Sequence, residues 1–374
     1  MRKLLFLIIW LLLIPTTLGA VDLAPYKNLS PTMSECLKDK LGRKLFGQLE
    51  SGVAPDGEYQ WKKANKIYAR CVTRLDQGIP SGVDYYDGPF FDAMSQIDET
   101  VNMKQAIMLV RKAGVDKLAL FARSRKSLGQ NEKAVLKLAK KNPDLIVLGA
   151  PKYFRHKRDV SSRFIDATMR GIVDHNYRFV GEILYTHADK KSGKTYSSGE
   201  RYTDPALRGT KELLTRLSEI KTPLMTHFEV YAPERDFPRF HKLYRDWPDQ
   251  IFIIPHMAFA SVEQATEFLE RHPNVYMTMS KKHVLMDDFQ DSDKLEKIGR
   301  PMLECMKLKP EWRDFLIRFQ DRILAATDAH MKKLWKDYLS VVFLQRVVLG
   351  QLPRDVAEKI AYKNAEKAYG VLVK

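Results

Sequence analysis

From residue 84 onward the chain repeats one plan: a short apolar run, a stretch with helical spacing, then the next apolar run. The runs fall at 90–97, 117–122, 145–150, 179–186, 224–230, 251–257, 275–280 and 323–327, eight in all. Runs of this length between turn formers suit strands buried on both faces. Helical patterns fill 101–113, 131–141, 161–176, 209–221, 236–247, 261–271 and 311–319, and two more, 334–350 and 353–369, follow the last run. Ser261 and Gln264 have the spacing of a capping box, and Gly114 and Gly350 stand where helices should stop. Strand–helix–strand units imply parallel pairing, since a crossover helix returns the chain to the same edge. Eight such units predict a closed (β/α)8 TIM barrel. A doubly wound open sheet is the alternative, and the count of eight favours closure.

A barrel of this kind puts its chemistry at the C-terminal ends of the strands. There the fifth run ends on His227, the sixth on His256 and the eighth on Asp328. Strand one offers Asp92, Met94, Gln96 and Asp98; strand four offers Glu182 and His187; strand five adds Glu229. Strand seven offers Lys281, Lys282 and His283, and strand eight adds His330. Imidazoles and carboxylates gathered at one mouth serve as metal ligands or as acid and base.

Each residue also has a plainer role. Taken alone, His227 and His256 read as hydrogen-bonded core histidines; together with Asp328 they point to a site. Asp328 has the spacing either of a ligand or of a cap on the following helix. Glu182 is expected to pair with a nearby Lys or Arg, and Met94 reads as core filler. Gln96 bonds either a ligand or a strand neighbour. His187, His283 and His330 have positions that can face the mouth, and read there as solvated loop histidines. The polar loop 188–201 is either an ordinary excursion or a lid over a substrate.

Several segments, taken in order, resemble the amidohydrolase superfamily of metal-dependent hydrolases. They are Pro223-Leu-Met-Thr-His227, Ile254-Pro-His256-Met257, His272-Pro-Asn-Val-Tyr276-Met-Thr-Met-Ser280, Asp321-Arg-Ile-Leu-Ala-Ala-Thr-Asp328-Ala329 and the closing Ile360-Ala-Tyr-Lys-Asn364-Ala-Glu-Lys-Ala-Tyr-Gly370. The resemblance spans residues 84–372. It implies a TIM barrel holding one or two divalent metals that activate water for hydrolysis or, in some members, assist decarboxylation. By position His227 matches the strand-five metal ligand. His256 matches the strand-six histidine, a second-metal ligand or general base. Asp328 matches the strand-eight aspartate, a ligand that also takes a proton from the attacking water.

Strand one departs from the family pattern of His-x-His after an Asp-Ala pair. Here Asp92-Ala93-Met94-Ser95-Gln96 puts Met94 and Gln96 in the histidine positions. A thioether prefers soft ions, and a neutral amide is a weak zinc ligand. The change counts against two metals. Glu182 is the candidate replacement, at the strand-four position where some members bridge two ions. Asp98, on the Met94 and Gln96 face, is another.

The chain has 374 residues and a formal net charge of +16. Residues 1–20 read as an export signal: Arg2 and Lys3, an apolar stretch over 4–14, then Pro15 and small residues to Ala20. That apolar stretch is shorter than the roughly 20 residues a spanning helix needs. The expectation is a cleaved, periplasmic or secreted protein without a stable membrane anchor. Residues 21–83 read as a helical extension, with helical spacing over 34–46 and 60–75, and 84–374 as the barrel domain. Lysine pairs are scattered and no nucleic-acid motif is present, so a solvated basic surface is expected and no nucleic-acid partner. In an oxidising compartment a Cys36–Cys71 disulfide would staple the two helices of the extension; the alternative is two buried thiols.

The functional expectation is an exported hydrolase acting on a C–N or C–O bond of a small molecule through one divalent metal, with zinc expected. His227 and Asp328 would hold the ion, and Glu182 or His256 would complete the set. His256 or Asp328 would move the proton, and Gln96 and Lys281 would contact substrate. Two alternatives follow from Met94 and Gln96. One is a non-catalytic, metal-free barrel that binds a partner or a small ligand, an anionic one among the options. The other is a metal-independent, lactonase-like hydrolase using His256 and Asp328 as acid and base.

Overall fold

The computed structural model describes residues 23–55, 57–76, 78–123, 131–152, 159–189, 192, 194–280 and 301–373. Residues 1–20, where the sequence leads one to expect an export signal, and Lys281, Lys282 and His283 lie outside them. Eight strands run β1 (Phe91–Ile97), β2 (Lys117–Ala122), β3 (Ile146–Ala150), β4 (Phe179–Leu184), β5 (Leu224–His227), β6 (Phe252–Ile254), β7 (Val275–Met279) and β8 (Ile323–Ala325). Each pairs in parallel with the next. The circle closes between β8 and β1, where the Asp328 amide donates to the Met94 carbonyl (2.9 Å) and the Gln96 amide to the Ala329 carbonyl (2.7 Å). The fold is a (β/α)8 barrel. Helices fill the connections at Met103–Lys112, Glu132–Lys141, Ser162–His175, Arg208–Ile220, Pro233–Asp246, Val262–Arg271 and Pro310–Arg318. The Ser261–Gln264 capping box is formed in full.

The barrel interior is an apolar plug. Phe91, Met94, Phe121, Phe179, Met225, Ile253 and Leu324 form one buried cluster. The C-terminal helix closes its floor: the Tyr369 ring lies 4.8 Å from that of Phe179, and its hydroxyl donates to the Ala93 carbonyl at 2.7 Å. A bulge in β1 between Asp92 and Ser95 breaks the two-residue alternation. Ala93 and Met94 therefore both enter the interior cluster. Asp92 turns the other way, toward Ser95, Thr327 and the Tyr338 hydroxyl, all of which donate to it. Burial pushes its carboxyl up to about 6, against the pull of those hydrogen bonds.

Five of the expected strands end early, strand seven at Met279 and strand eight at Ala325 among them. Strand four stops at Leu184, and Thr186–His187 leaves the barrel to pair antiparallel with Arg201–Tyr202. Strand five stops at His227 rather than Val230. Strand six stops at Ile254, because Pro255 follows and His256, Met257, Ala258 and Phe259 then take φ values of 41°, 48°, 54° and 60°. Left-handed backbone costs roughly 1–2 kcal/mol per residue outside glycine. Four in a row persist because the turn is pinned: the His256 amide donates to Thr278 Oγ1 (2.7 Å) and the Val230 amide to the Ala258 carbonyl (3.1 Å).

The extension is helical at Pro31–Leu41, Arg43–Glu50 and Glu58–Leu75. The helical pattern over 34–46 is split at Gly42, whose φ of 86° suits only glycine well. Cys36 and Cys71 are bonded, and Cys305 is buried outside that pair. Arg70 forks onto Asp337, both of its contacting nitrogens within 3.0 Å, and Asn65 donates to the Leu303 carbonyl at 3.0 Å. The extension is thus tied to the chain flanking β8. Among the described residues no helix is long and apolar enough to cross a membrane.

Candidate functional site

The mouth is built from strand ends. Glu182 sits near the end of β4, His227 is the last residue of β5, and His256 follows β6 on the left-handed turn. All three are buried. Glu182 Oε1 lies 3.0 Å from His227 Nδ1, which lies 3.1 Å from His256 Nε2. One donor atom from each falls within 4.8 Å of the others. Phe259 stacks on the His256 ring with centroids 4.0 Å apart and fixes its plane.

The second oxygen of Glu182 is held separately. Lys152, buried just past β3, forms an ion pair with Oε2, and Gln96 Nε2 donates to the same oxygen at 3.1 Å. Glu182 therefore does pair with a lysine, and a buried carboxylate needs such a partner. Gln96 also donates to Asp328 Oδ1 at 3.2 Å. One amide thus ties the strand-eight carboxylate to the strand-four one. Asp328 has φ 52°, and the next helix, Lys332–Trp335, is capped by no side chain, so Asp328 is not its cap.

His330 lies behind Asp328, with Nδ1 at 2.9 Å from the Asp328 carbonyl. Burial is the main force pushing its pKa down to about 4; Asp328 opposes the shift, while Arg123 and Lys152 add to it. Neither His187 nor His330 is a solvated loop histidine. Their side chains are 18% and 16% exposed, because the hairpin at Thr186–His187 folds back over β5 and the turn after β8 folds over β1. The His187 ring stacks on His227 at 5.7 Å, with 4° between planes.

The structure brings together Glu182, His227, His256, Gln96 and Asp328. The three mutually close donors are the first three, and Asp328 stands one hydrogen bond away through Gln96. Lys281 lies outside the described residues. Sequence reasoning missed Lys152 and Arg123. Both directly follow buried apolar runs, Lys152 after Ala150-Pro151 and Arg123 after Phe121-Ala122. A charge in that position at a barrel mouth was the available signal.

A (β/α)8 barrel with imidazoles and a carboxylate converging at its strand ends defines a class of metal-assisted hydrolase folds. The sequence profile of the amidohydrolase family matches residues 158–371, more than half of the chain, and the chain belongs to that family. Members of this superfamily use divalent metals, and the mouth carries His/Glu groups able to hold one. No curated protein matches in sequence. Among solved structures, an uncharacterised TIM-barrel protein from Bordetella bronchiseptica is 14% identical, with TM-score 0.47 over 76% of this chain and 99% of that one. A probable 2-pyrone-4,6-dicarboxylic acid hydrolase from Acinetobacter baumannii is 11% identical, with TM-score 0.48 over 77% and 99%. A dihydroorotase from Campylobacter jejuni is 15% identical, with TM-score 0.47 over 76% and 84%.

The donors fit one ion. Ligands about 2.0–2.1 Å from a tetrahedral metal stand roughly 3.3 Å apart, close to the 3.0 and 3.1 Å from His227 Nδ1 to the other two donors, which themselves lie within 4.8 Å of each other. Lys152 and Gln96 occupy Glu182 Oε2 and leave Oε1 turned to the imidazoles. At the family's strand-one positions, Met94 packs into the apolar interior and Gln96 spends its amide on two carboxylates. The set suits a single site.

Proposed function

We propose that this chain is an exported hydrolase that cleaves a C–N or C–O bond of a small molecule at a single divalent-metal centre held by Glu182, His227 and His256. The observation that carries the proposal is the convergence of those three donors at the mouth. Two imidazoles and one carboxylate leave a coordination position open, as catalytic sites do, and zinc suits that set. A divalent ion held there would polarise a carbonyl and make water a nucleophile at neutral pH.

The remaining work belongs to the chain's own residues. Lys152 and Gln96 fix the second oxygen of Glu182, so that the carboxylate keeps its aim. Gln96 also orients Asp328, the carboxylate placed to accept a proton at Oδ1. His330 Nδ1 faces a carbonyl and so carries the ring proton, which leaves Nε2 of the neutral ring as an acceptor for the same relay. The hairpin carrying His187 stacks that ring on His227 at the mouth.

The test is a panel of small esters, lactones and amides. Hydrolysis should stop with chelator, return with Zn²⁺, and fall at least about a hundredfold in kcat for Asp328→Asn. Turnover indifferent to both would overturn the reading. The Lys152–Glu182 ion pair favours a second reading, since it already supplies the site with a cation. In that reading the barrel is metal-free and binds an anionic ligand, and chelator changes neither melting temperature nor ligand affinity.

A further inference from the structure

Beyond the inner centre, a second set of donors meets on the outer side of His227. His187, His227 and Glu229 each offer one atom within 4.8 Å of the others. His187 Nε2 and His227 Nε2 both lie 3.6 Å from Glu229 Oε1. The other Glu229 oxygen accepts the Ala188 amide at 2.8 Å, and the Glu229 amide donates to Thr186 Oγ1 at 3.1 Å. The carboxylate is therefore clamped with Oε1 turned toward the two rings.

The ring protons can be assigned from partners that have only one role. His187 Nδ1 stands 2.6 Å from the Ala188 carbonyl. A carbonyl can only accept, so Nδ1 carries the proton and Nε2 of the neutral ring presents a lone pair. That lone pair faces a carboxylate oxygen. His227 offers the same choice from its other side. When its Nδ1 donates to Glu182 Oε1, its Nε2 also presents a lone pair to Glu229. Two lone pairs and a carboxylate oxygen then face one another at 3.6 Å, an arrangement that a cation between them stabilises.

We infer that His187, His227 Nε2 and Glu229 form a second metal position at the barrel mouth, for a divalent ion of the zinc or cobalt kind. Two imidazoles and a carboxylate are donors such ions take, and 3.6 Å is within a small adjustment of the roughly 3.3 Å between ligands of a tetrahedral ion. A neutral imidazole has one lone pair, so His227 serves one position at a time. With Nδ1 bare it completes the inner set, and its Nε2–H then faces Glu229 Oε1. With Nε2 bare it completes the outer set. An ion in the outer position ties the Thr186–His187 hairpin to β5, because His187 is the only ligand of the three supplied by that hairpin. The outer position stands on its own geometry and shares only His227 with the centre of the proposed function.

The test is a Co²⁺ titration of His256→Ala, which lacks the inner set, read by calorimetry and by visible absorption, with a thermal melt to confirm folding. Glu182→Gln is the second inner-site variant should the turn at position 256 not tolerate alanine. The expected result is one Co²⁺ per chain in either variant, weakened at least tenfold by adding His187→Ala or Glu229→Gln. A folded inner-site variant that takes up no Co²⁺ overturns the inference, since a proton alone then bridges His187 and Glu229. Co²⁺ binding indifferent to His187→Ala also overturns it. Either failure, beside a wild type that still binds one ion, leaves the inner centre standing. A wild type that binds none removes both.

Discussion

At the scale of single residues, Lys152 decides how Glu182 behaves. The pair is buried on both sides, with side chains 7% and 2% exposed. Removing one member of such a pair leaves an uncompensated charge, at a cost of about 3–5 kcal/mol, whereas removing both with shape kept is nearly neutral. Lys152→Met should therefore destabilise the metal-free protein by about that amount, and Lys152→Met with Glu182→Gln should recover most of it. Denaturant titration of the three variants checks this; a double variant as unstable as the single one contradicts it. Much of the residue-level site was legible in the sequence. His227, His256, Glu182, Gln96 and Asp328 all lie at or near the ends of apolar runs at one edge, and period and position suffice to place them there. Lys152 and Arg123 were not, because a lone cation after a strand reads as a solubilising charge until its neighbours are known: Glu182 on the next strand for Lys152, and the buried His330 for Arg123. His187 was misread for a related reason. Its pairing with Arg201 is fixed by a hairpin whose polar loop carries no periodic signal.

At the scale of elements, the eight strands and most helices follow from hydrophobic period. The turn after β6 does not. Met257-Ala-Phe259 continues the apolar pattern of a strand, and only the packing of Phe259 on His256 and the contacts of the turn with Thr278 and Val230 explain its left-handed path. The bulge in β1 is equally silent in sequence. Two elements carry predictions. The Cys36–Cys71 bond joins the first and third helices of the extension across 35 residues. Cys36→Ser with Cys71→Ser should cost about 3–4 kcal/mol in the chain-entropy picture, measured by denaturation; an unchanged midpoint contradicts it. The second concerns the helices Pro233–Asp246 and Val262–Arg271. His272, which caps the latter, sits 2.7 Å from His241, and burial together with the nearby His241 charge pushes its pKa down to about 4. A histidine depressed in the folded state contributes stability above its unfolded pKa, about 6.5. That contribution is lost as pH falls toward 4. His272→Gln should flatten the loss of stability between pH 6.5 and 4.5, read by urea titration at both values. An unchanged slope would contradict the assignment.

At the scale of the whole molecule, a closed barrel presents its strand ends as one cup, and the extension is fastened beside it through Arg70 to Asp337 and Asn65 to Leu303. That geometry lets residues as far apart in sequence as Gln96 and Asp328 share one hydrogen bond. The interior below them is apolar, with Tyr369 packed at its floor. The central claim is that the mouth holds a divalent ion through His227 and its neighbours. The most direct measurement is elemental mass spectrometry of the untagged protein after growth with added zinc, beside His227→Ala. About one divalent ion per chain in the wild type, absent from a folded His227→Ala, is the predicted result. A folded wild type that carries no ion, even after reconstitution with Zn²⁺, would contradict it.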